Sequence, residues 1–168
     1  MAVATQLNNE LHAILANDKR CKDYNEFLKK IYASENLDFY FRVQQYKSVD
    51  TLPERIEKAQ EIYNQFIHED SETALGDIDS ETRQLIESCL DDPPANLFNY
   101  LQQRAFMVMA HSTVHTFLEE ETRELMAKGS EISPEHQSLL QRLLEVLLAI
   151  IHAFTGSSAA PAPEATSG

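Results

Sequence analysis

Apolar residues recur three and four positions apart through most of this chain, the spacing that gives a helix one buried face. Leu7, Leu11, Ile14 and Leu15 form a first stripe, and Asn17-Asp18 interrupts it. Tyr24, Phe27, Leu28 and Ile31 predict the apolar side of a second helix. A third follows the polar turn Ser34-Glu35-Asn36, with Ser34 as its expected N-cap and Leu37, Phe39, Tyr40, Val43 and Tyr46 as its buried stripe. It should stop before Leu52-Pro53, because a residue preceding proline is pushed out of helical backbone angles.

Pro53 suits the first turn of a fourth helix, whose inward stripe is Ile56, Ala59, Ile62, Tyr63, Phe66 and Ile67. A polar loop from Glu69 to Asp79 follows. Ser80 is the expected N-cap of the next helix, with Arg83, Leu85, Ile86 and Leu90 inside it, and Asp91-Asp92-Pro93-Pro94 is a firm boundary. A long helical stretch then runs from about Ala95 through Phe106, Met109, Phe117 and Leu118 towards Leu125, with a break expected near His111 to Thr113 and Gly129 as its C′ residue. Ser133-Pro134 opens a last, far more apolar helix, in which Leu140, Leu143, Leu147, Ile150 and Phe154 form a seam suited to helix pairing. Arg142, Glu145 and His152 interrupt its apolar run, so no membrane span is expected. The expected organisation is a helical domain over 1–130, an apolar helix over 131–154 that packs on the domain or mediates association, and a disordered tail over 155–168 without large apolar residues.

Composition narrows this picture. At 168 residues the chain can build one domain with a proper core. Its 4 glycines leave long stretches of helix-favouring residues, so the fold class is all-α. A net charge of −13 argues against a nucleic-acid partner and for a basic protein surface as the electrostatic complement. Cys21 and Cys89 lack the spacing of a redox or zinc motif, and the first 16 residues, which include Glu10, lack the apolar core of a secretory leader. A cytoplasmic location is the simpler expectation.

Several blocks, in one order, resemble the RGS domain family of G-protein signalling regulators. Phe27-Leu28 ahead of Ala33-Ser34-Glu35-Asn36-Leu37 resembles the family's Phe-Leu pair and Ser-Glu-Asn turn. Glu61-Ile62-Tyr63-Asn64-Gln65-Phe66-Ile67, Asp77-Ile78-Asp79-Ser80-Glu81-Thr82-Arg83 and the closing Phe117-Leu118 resemble its later blocks. The resemblance covers roughly Leu11 to Leu118 and implies a nine-helix-like bundle, with the additional apolar C-terminal helix appended. It also implies a partner, the GTP-loaded α subunit of a heterotrimeric G protein, whose GTP hydrolysis the family accelerates by gripping the switch regions; the regulator itself is no enzyme and needs no cofactor. The partner would also recruit the chain to the inner face of the plasma membrane. Carried over residue by residue, the contact positions are Glu35, Asn36, Asp77, Val108, Ser112 and Thr116.

Four of those positions depart from the family. Asp77 stands where an asparagine is usual, which removes an amide donor and adds a charge. Val108, Ser112 and Thr116 stand at the family's Leu, Asp and Arg; their separation of four should place them on one helix face. Losing the aspartate's charge and the arginine's planar donor fork would weaken docking by about 2–5 kcal/mol if those contacts are interfacial. Two readings therefore stand side by side: an activator of a G-protein α subunit, and an RGS-like scaffold with weak or no activating power. His111 and His115, four apart, have the spacing of a helical zinc pair but no intervening HExxH glutamate, which fits titratable groups on the docking face better than a metal site. The runs Glu119-Glu120-Glu121 and Glu69-Asp70 read as solvated faces.

Overall fold

The computed structural model describes residues 2–76, 78–127 and 134–155. It is all-helical there, without a strand: α1 (Ala2–Leu15), α2 (Asp18–Lys30), α3 (Glu35–Lys47), α4 (Leu52–Ile62) continued by a π-helical turn (Tyr63–Ile67), α5 (Ser80–Ser88), α6 (Asn99–Ser112), α7 (Val114–Ala127) and α8 (Pro134–Thr155). No helix among these residues is long and apolar enough to cross a membrane. Gly129 and Ser133, the side chains of Leu140 and Phe154, and the tail from residue 156 onward lie outside the described residues.

The helices enclose two contiguous cores. The first gathers Leu11, Ile14, Tyr24, Leu28, Phe117 and Leu118 with Leu143, Val146 and Ile150 of α8. The second gathers Phe39, Val43, Tyr46, Ile62, Phe66, Ile86 and Phe98. α3 and α6 pass through both: Leu37, Phe106, Met109 and Ala110 belong to the first, while Phe39, Val43, Leu101 and Ala105 belong to the second. Their packing is pinned by buried Gln102, whose amide N–H donates to the Tyr40 carbonyl at 3.0 Å and whose amide oxygen accepts from Lys47 Nζ at 2.5 Å. A buried amide with both ends satisfied fixes the register of two helices that apolar contact alone would leave free to slide.

Several helix ends differ from their sequence expectations, each for a visible reason. Asp79, not Ser80, caps α5: its carboxylate accepts from the Thr82 N–H at 2.7 Å and the Thr82 hydroxyl at 2.8 Å. Those bonds hold the Asp79 carboxyl below its ordinary range, so the contribution is present at neutral pH and fades as pH falls through that lowered range. Ser34 makes no side-chain cap, because it already has helical angles (φ −81°, ψ −13°). Leu85 is 66% exposed, and Leu90 lies beyond the end of α5 at Ser88 and packs against the second core from there. Ile31 is 45% exposed, since α2 ends at Lys30 and the chain turns away before its side chain reaches the core.

Candidate functional site

The turn from α2 into α3 is built by the last residues of α2. Tyr32 N–H donates to the Lys29 carbonyl at 3.2 Å and Ala33 N–H to the Leu28 carbonyl at 3.0 Å, the paired bonds of a Schellman termination. That motif needs one residue in the left-handed region, a place that favours glycine. Tyr32 occupies it with φ 55°. Its ring, 94% exposed, finds no packing to offset a strain of about 1–2 kcal/mol. An aromatic held in a strained conformation with its face in water is a candidate contact residue. Sequence periodicity passes over Tyr32; its signal is the absence of glycine where the helical pattern ends.

Ala33 then packs inward and α3 begins, presenting Glu35 and Asn36 half-buried in its first turn. Asn36 Nδ2 donates to Glu35 Oε1 at 3.0 Å, so the two polar side chains orient one another and leave the Asn36 amide oxygen as an acceptor. α3 and α6 run antiparallel: Lys47 meets Gln102, and the ring of Tyr40 lies 6.1 Å from that of Phe106. Glu35 and Asn36 open α3 and Ser112 closes α6, so the antiparallel pairing puts them at the same end of the two helices.

Val108 is 43% exposed, and Ser112 and Thr116 are exposed as well. They do not share one uninterrupted helix face. Thr113, with φ −120° and ψ −26°, separates α6 from α7 and places Thr116 on the second helix. A half-buried hydroxyl chain links this break to α2. Thr113 Oγ1–H donates to the Met109 carbonyl at 3.1 Å, so the Tyr24 hydroxyl donates to Thr113 Oγ1 at 2.6 Å. Burial pushes the Tyr24 phenol up to about 12, so it keeps that proton at any physiological pH.

The hydroxyls on this face are turned towards their own helices. Ser112 Oγ–H donates to the Val108 carbonyl at 2.5 Å, and Thr116 Oγ1 lies 3.2 Å from His115 Nε2. The break also divides His111, in the last turn of α6, from His115, in α7. Among the described residues no three His, Cys, Asp or Glu side chains converge to hold a metal ion.

Asp77 lies outside the described residues. Its flanks are described: Gly76 has open space around it, and Ile78 is buried in the second core. The loop leading to it folds back on the π-helical turn, whose widened end leaves carbonyls free. Leu75 N–H donates to the Phe66 carbonyl at 2.8 Å, and the Thr73 and Ser71 hydroxyls both donate to that of Gln65. The acidic run at 119–121 is not a uniform solvated face. Glu121 accepts from Arg20 Nε at 3.0 Å and Nη2 at 2.8 Å, and Arg20 is itself 8% exposed.

The regulator of G protein signaling domain family matches residues 10–123. Regulator of G-protein signaling 5 of Sus scrofa is 27% identical over 118 residues, 70% of this chain and 65% of that protein. Regulator of G-protein signaling 21 of Homo sapiens is 26% identical over 133 residues, 79% of this chain and 86% of that protein. Regulator of G-protein signaling 18 of Mus musculus is 28% identical over 111 residues, 66% of this chain but 47% of its own length. The chain thus spans between about half and most of the relatives it matches, and α8 lies beyond the family match.

Proposed function

Because the chain belongs to the regulator of G protein signaling domain family, we propose that it binds the GTP-loaded α subunit of a heterotrimeric G protein and accelerates hydrolysis of the bound GTP. The observation that supports this reading is the match of the family over residues 10–123, which takes in the antiparallel helices α3 and α6 that carry Glu35, Asn36, Val108 and Ser112. Glu35, Asn36, Asp77, Val108, Ser112 and Thr116 are its proposed contacts, and Tyr32 joins them. The chain supplies no nucleophile and no base. It acts by holding the partner's switch segments where the partner's own catalytic groups meet the attacking water, so only contacts that tighten in the transition state accelerate the reaction. Binding such a partner would bring the chain from the cytoplasm to the inner face of the plasma membrane.

Single-turnover GTP hydrolysis by several α subunits, with and without the chain, tests the proposal. Acceleration of at least one supports it; no acceleration of any, at regulator concentrations far above ordinary affinities, overturns it. Ser112 and Thr116 favour a second reading, a scaffold that binds without accelerating, because neither offers the charged group found in the family. Introducing Ser112→Asp together with Thr116→Arg should strengthen binding by about 2 kcal/mol, roughly thirtyfold, when affinity for the α subunit is measured by calorimetry. An unchanged affinity would mean that the two positions face away from the partner.

Tyr32 allows a sharper test, since strain and function pull in opposite directions there. Tyr32→Gly relieves about 1–2 kcal/mol of left-handed strain but gives the unfolded chain more freedom, worth about 0.4–1 kcal/mol. Urea unfolding should therefore show a stability equal to or slightly above that of the parent, while affinity for the α subunit falls. A loss of stability without loss of affinity would assign the ring a structural role.

A further inference from the structure

We propose that the cavity where the end of α1 meets α2 and α3 binds a small organic cation, an ammonium or guanidinium carried on an apolar stem. The cavity measures about 330 Å³, within the range that holds a small ligand. Leu15, Leu37 and Phe41 supply its apolar lining. Leu37 is buried, whereas Phe41 belongs to neither core and is 36% exposed. The two are four residues apart on α3, so that helix presents an apolar strip to the gap. α2 lines it with Asp18, Cys21, Lys22 and Asn25, at the three-and-four spacing of a single helix face.

The polar groups select the class of ligand. Asp18 and Asp38 both line the cavity, and among the described residues neither carboxylate has a hydrogen bond or an ion pair. Asn25 Oδ1 is buried without a hydrogen-bond partner, so turning that amide towards the cavity adds a third acceptor and loses no bond made by the oxygen. Burial, and then Asp18, pushes the Cys21 thiol up, so it stays neutral and adds no charge. Lys22 is the opposing charge; it lies four residues from Asp18 but forms no ion pair with it. An anion would meet two carboxylates, and a neutral apolar molecule would take water from them without replacing its hydrogen bonds. A metal ion is poorly served, because no three His, Cys, Asp or Glu side chains converge among the described residues. An ammonium or guanidinium instead donates to the carboxylates beside the Phe41 ring, while its stem covers the apolar lining.

The probe is n-hexylguanidinium, titrated into the full chain and followed by backbone amide chemical shifts. Saturable shifts should centre on Cys21, Asn25, Asp38 and Phe41, and n-hexanol and hexanoate should bind at least about tenfold more weakly. Asp18→Asn with Asp38→Asn should weaken the probe at least about tenfold, and Lys22→Gln should tighten it about two- to threefold. Because a chain of net charge −13 attracts any cation, the control is Glu57→Gln with Glu81→Gln, exposed positions on α4 and α5. It removes the same number of charges and should leave affinity within about twofold. Melting temperatures should stay near that of the parent throughout, since every substituted side chain is exposed. The proposal is overturned by the absence of saturable shifts up to about 10 mM, by n-hexanol binding as tightly as the probe, or by an affinity that Asp18→Asn with Asp38→Asn leaves unchanged. An equal loss in the control variant overturns it as well, because the attraction is then diffuse. No G protein enters these measurements, so their outcome is independent of the proposed function.

Discussion

Replacing Arg20 by methionine is expected to destabilise the fold by about 3–5 kcal/mol, the usual consequence of removing one partner from a buried ion pair. The guanidinium places Nε and Nη2 against the two carboxylate oxygens of Glu121, at 3.0 and 2.8 Å, and Nη1 at 3.7 Å from Glu10. Glu10 is only 7% exposed, and its Oε2 has no hydrogen bond, so the Arg20 charge is what makes its burial tolerable. Without Arg20, Glu10 keeps Arg142 at 3.6 Å, and Glu121 loses both of its bonds to the guanidinium. At about 2–4 °C per kcal/mol for a chain of this size, thermal unfolding should shift down by roughly 6–20 °C. Arg20→Lys should fall between parent and methionine, because a point charge cannot reproduce the two-pronged contact. Adding Glu10→Gln and Glu121→Gln to Arg20→Met should restore much of the loss, since the desolvated charges disappear with their partner. A shift below about 2 °C for Arg20→Met would show that the network contributes little.

That network explains part of what the sequence left hidden. Helical periodicity located every long helix, because a stripe such as Leu37, Phe39, Val43 and Tyr46 is dictated by burial on one side, and burial is local to the helix that carries it. Arg20 and Glu10 break that rule: each also pairs with a residue more than a hundred positions away, Glu121 and Arg142, a relation no window of sequence contains. Glu121 was hidden for the same reason, inside a run that looks like solvated surface. Leu85 and Ile31 failed in the other direction, apolar residues left in water where a short helix ends before its stripe is complete. Asp79 took the cap from Ser80 because a carboxylate there also reaches the Thr82 hydroxyl.

The candidate site divides along the same line. Glu35, Asn36, Val108, Ser112 and Thr116 could be named from sequence blocks, and all are at least partly open to solvent. Their relative placement could not. The interruption at Thr113 is bonded to Tyr24, which lies in another helix and reaches it at 2.6 Å. Since Arg20 and Tyr24 share α2, and Glu121 and Thr116 share α7, the ion pair and the Tyr24–Thr113 bond tie the helix that carries Thr116, and the break before it, to α2. Tyr32 was hidden because conformational strain leaves no periodic mark.

Asn36→Ala is the functional substitution with the largest expected effect. Asn36 is half-buried in the first turn of α3, four residues after exposed Tyr32, and half-buried polar groups that exclude water on docking concentrate binding energy. Its amide is already oriented by Glu35, so the rotamer entropy of docking it is small. Removing it should weaken interaction with the α subunit by at least about 2 kcal/mol, roughly thirtyfold. Fold stability should hold, because alanine favours a helical first turn and, among the described residues, the side-chain bond lost is to the neighbouring Glu35. The location of the loss then separates activator from scaffold. For an activator, Asn36→Ala costs more affinity for an α subunit carrying a transition-state analogue than for one carrying a non-hydrolysable GTP, and the single-turnover rate falls by the difference. For a scaffold the two affinities fall equally and no rate changes. If neither affinity changes, the docking surface lies elsewhere on the molecule.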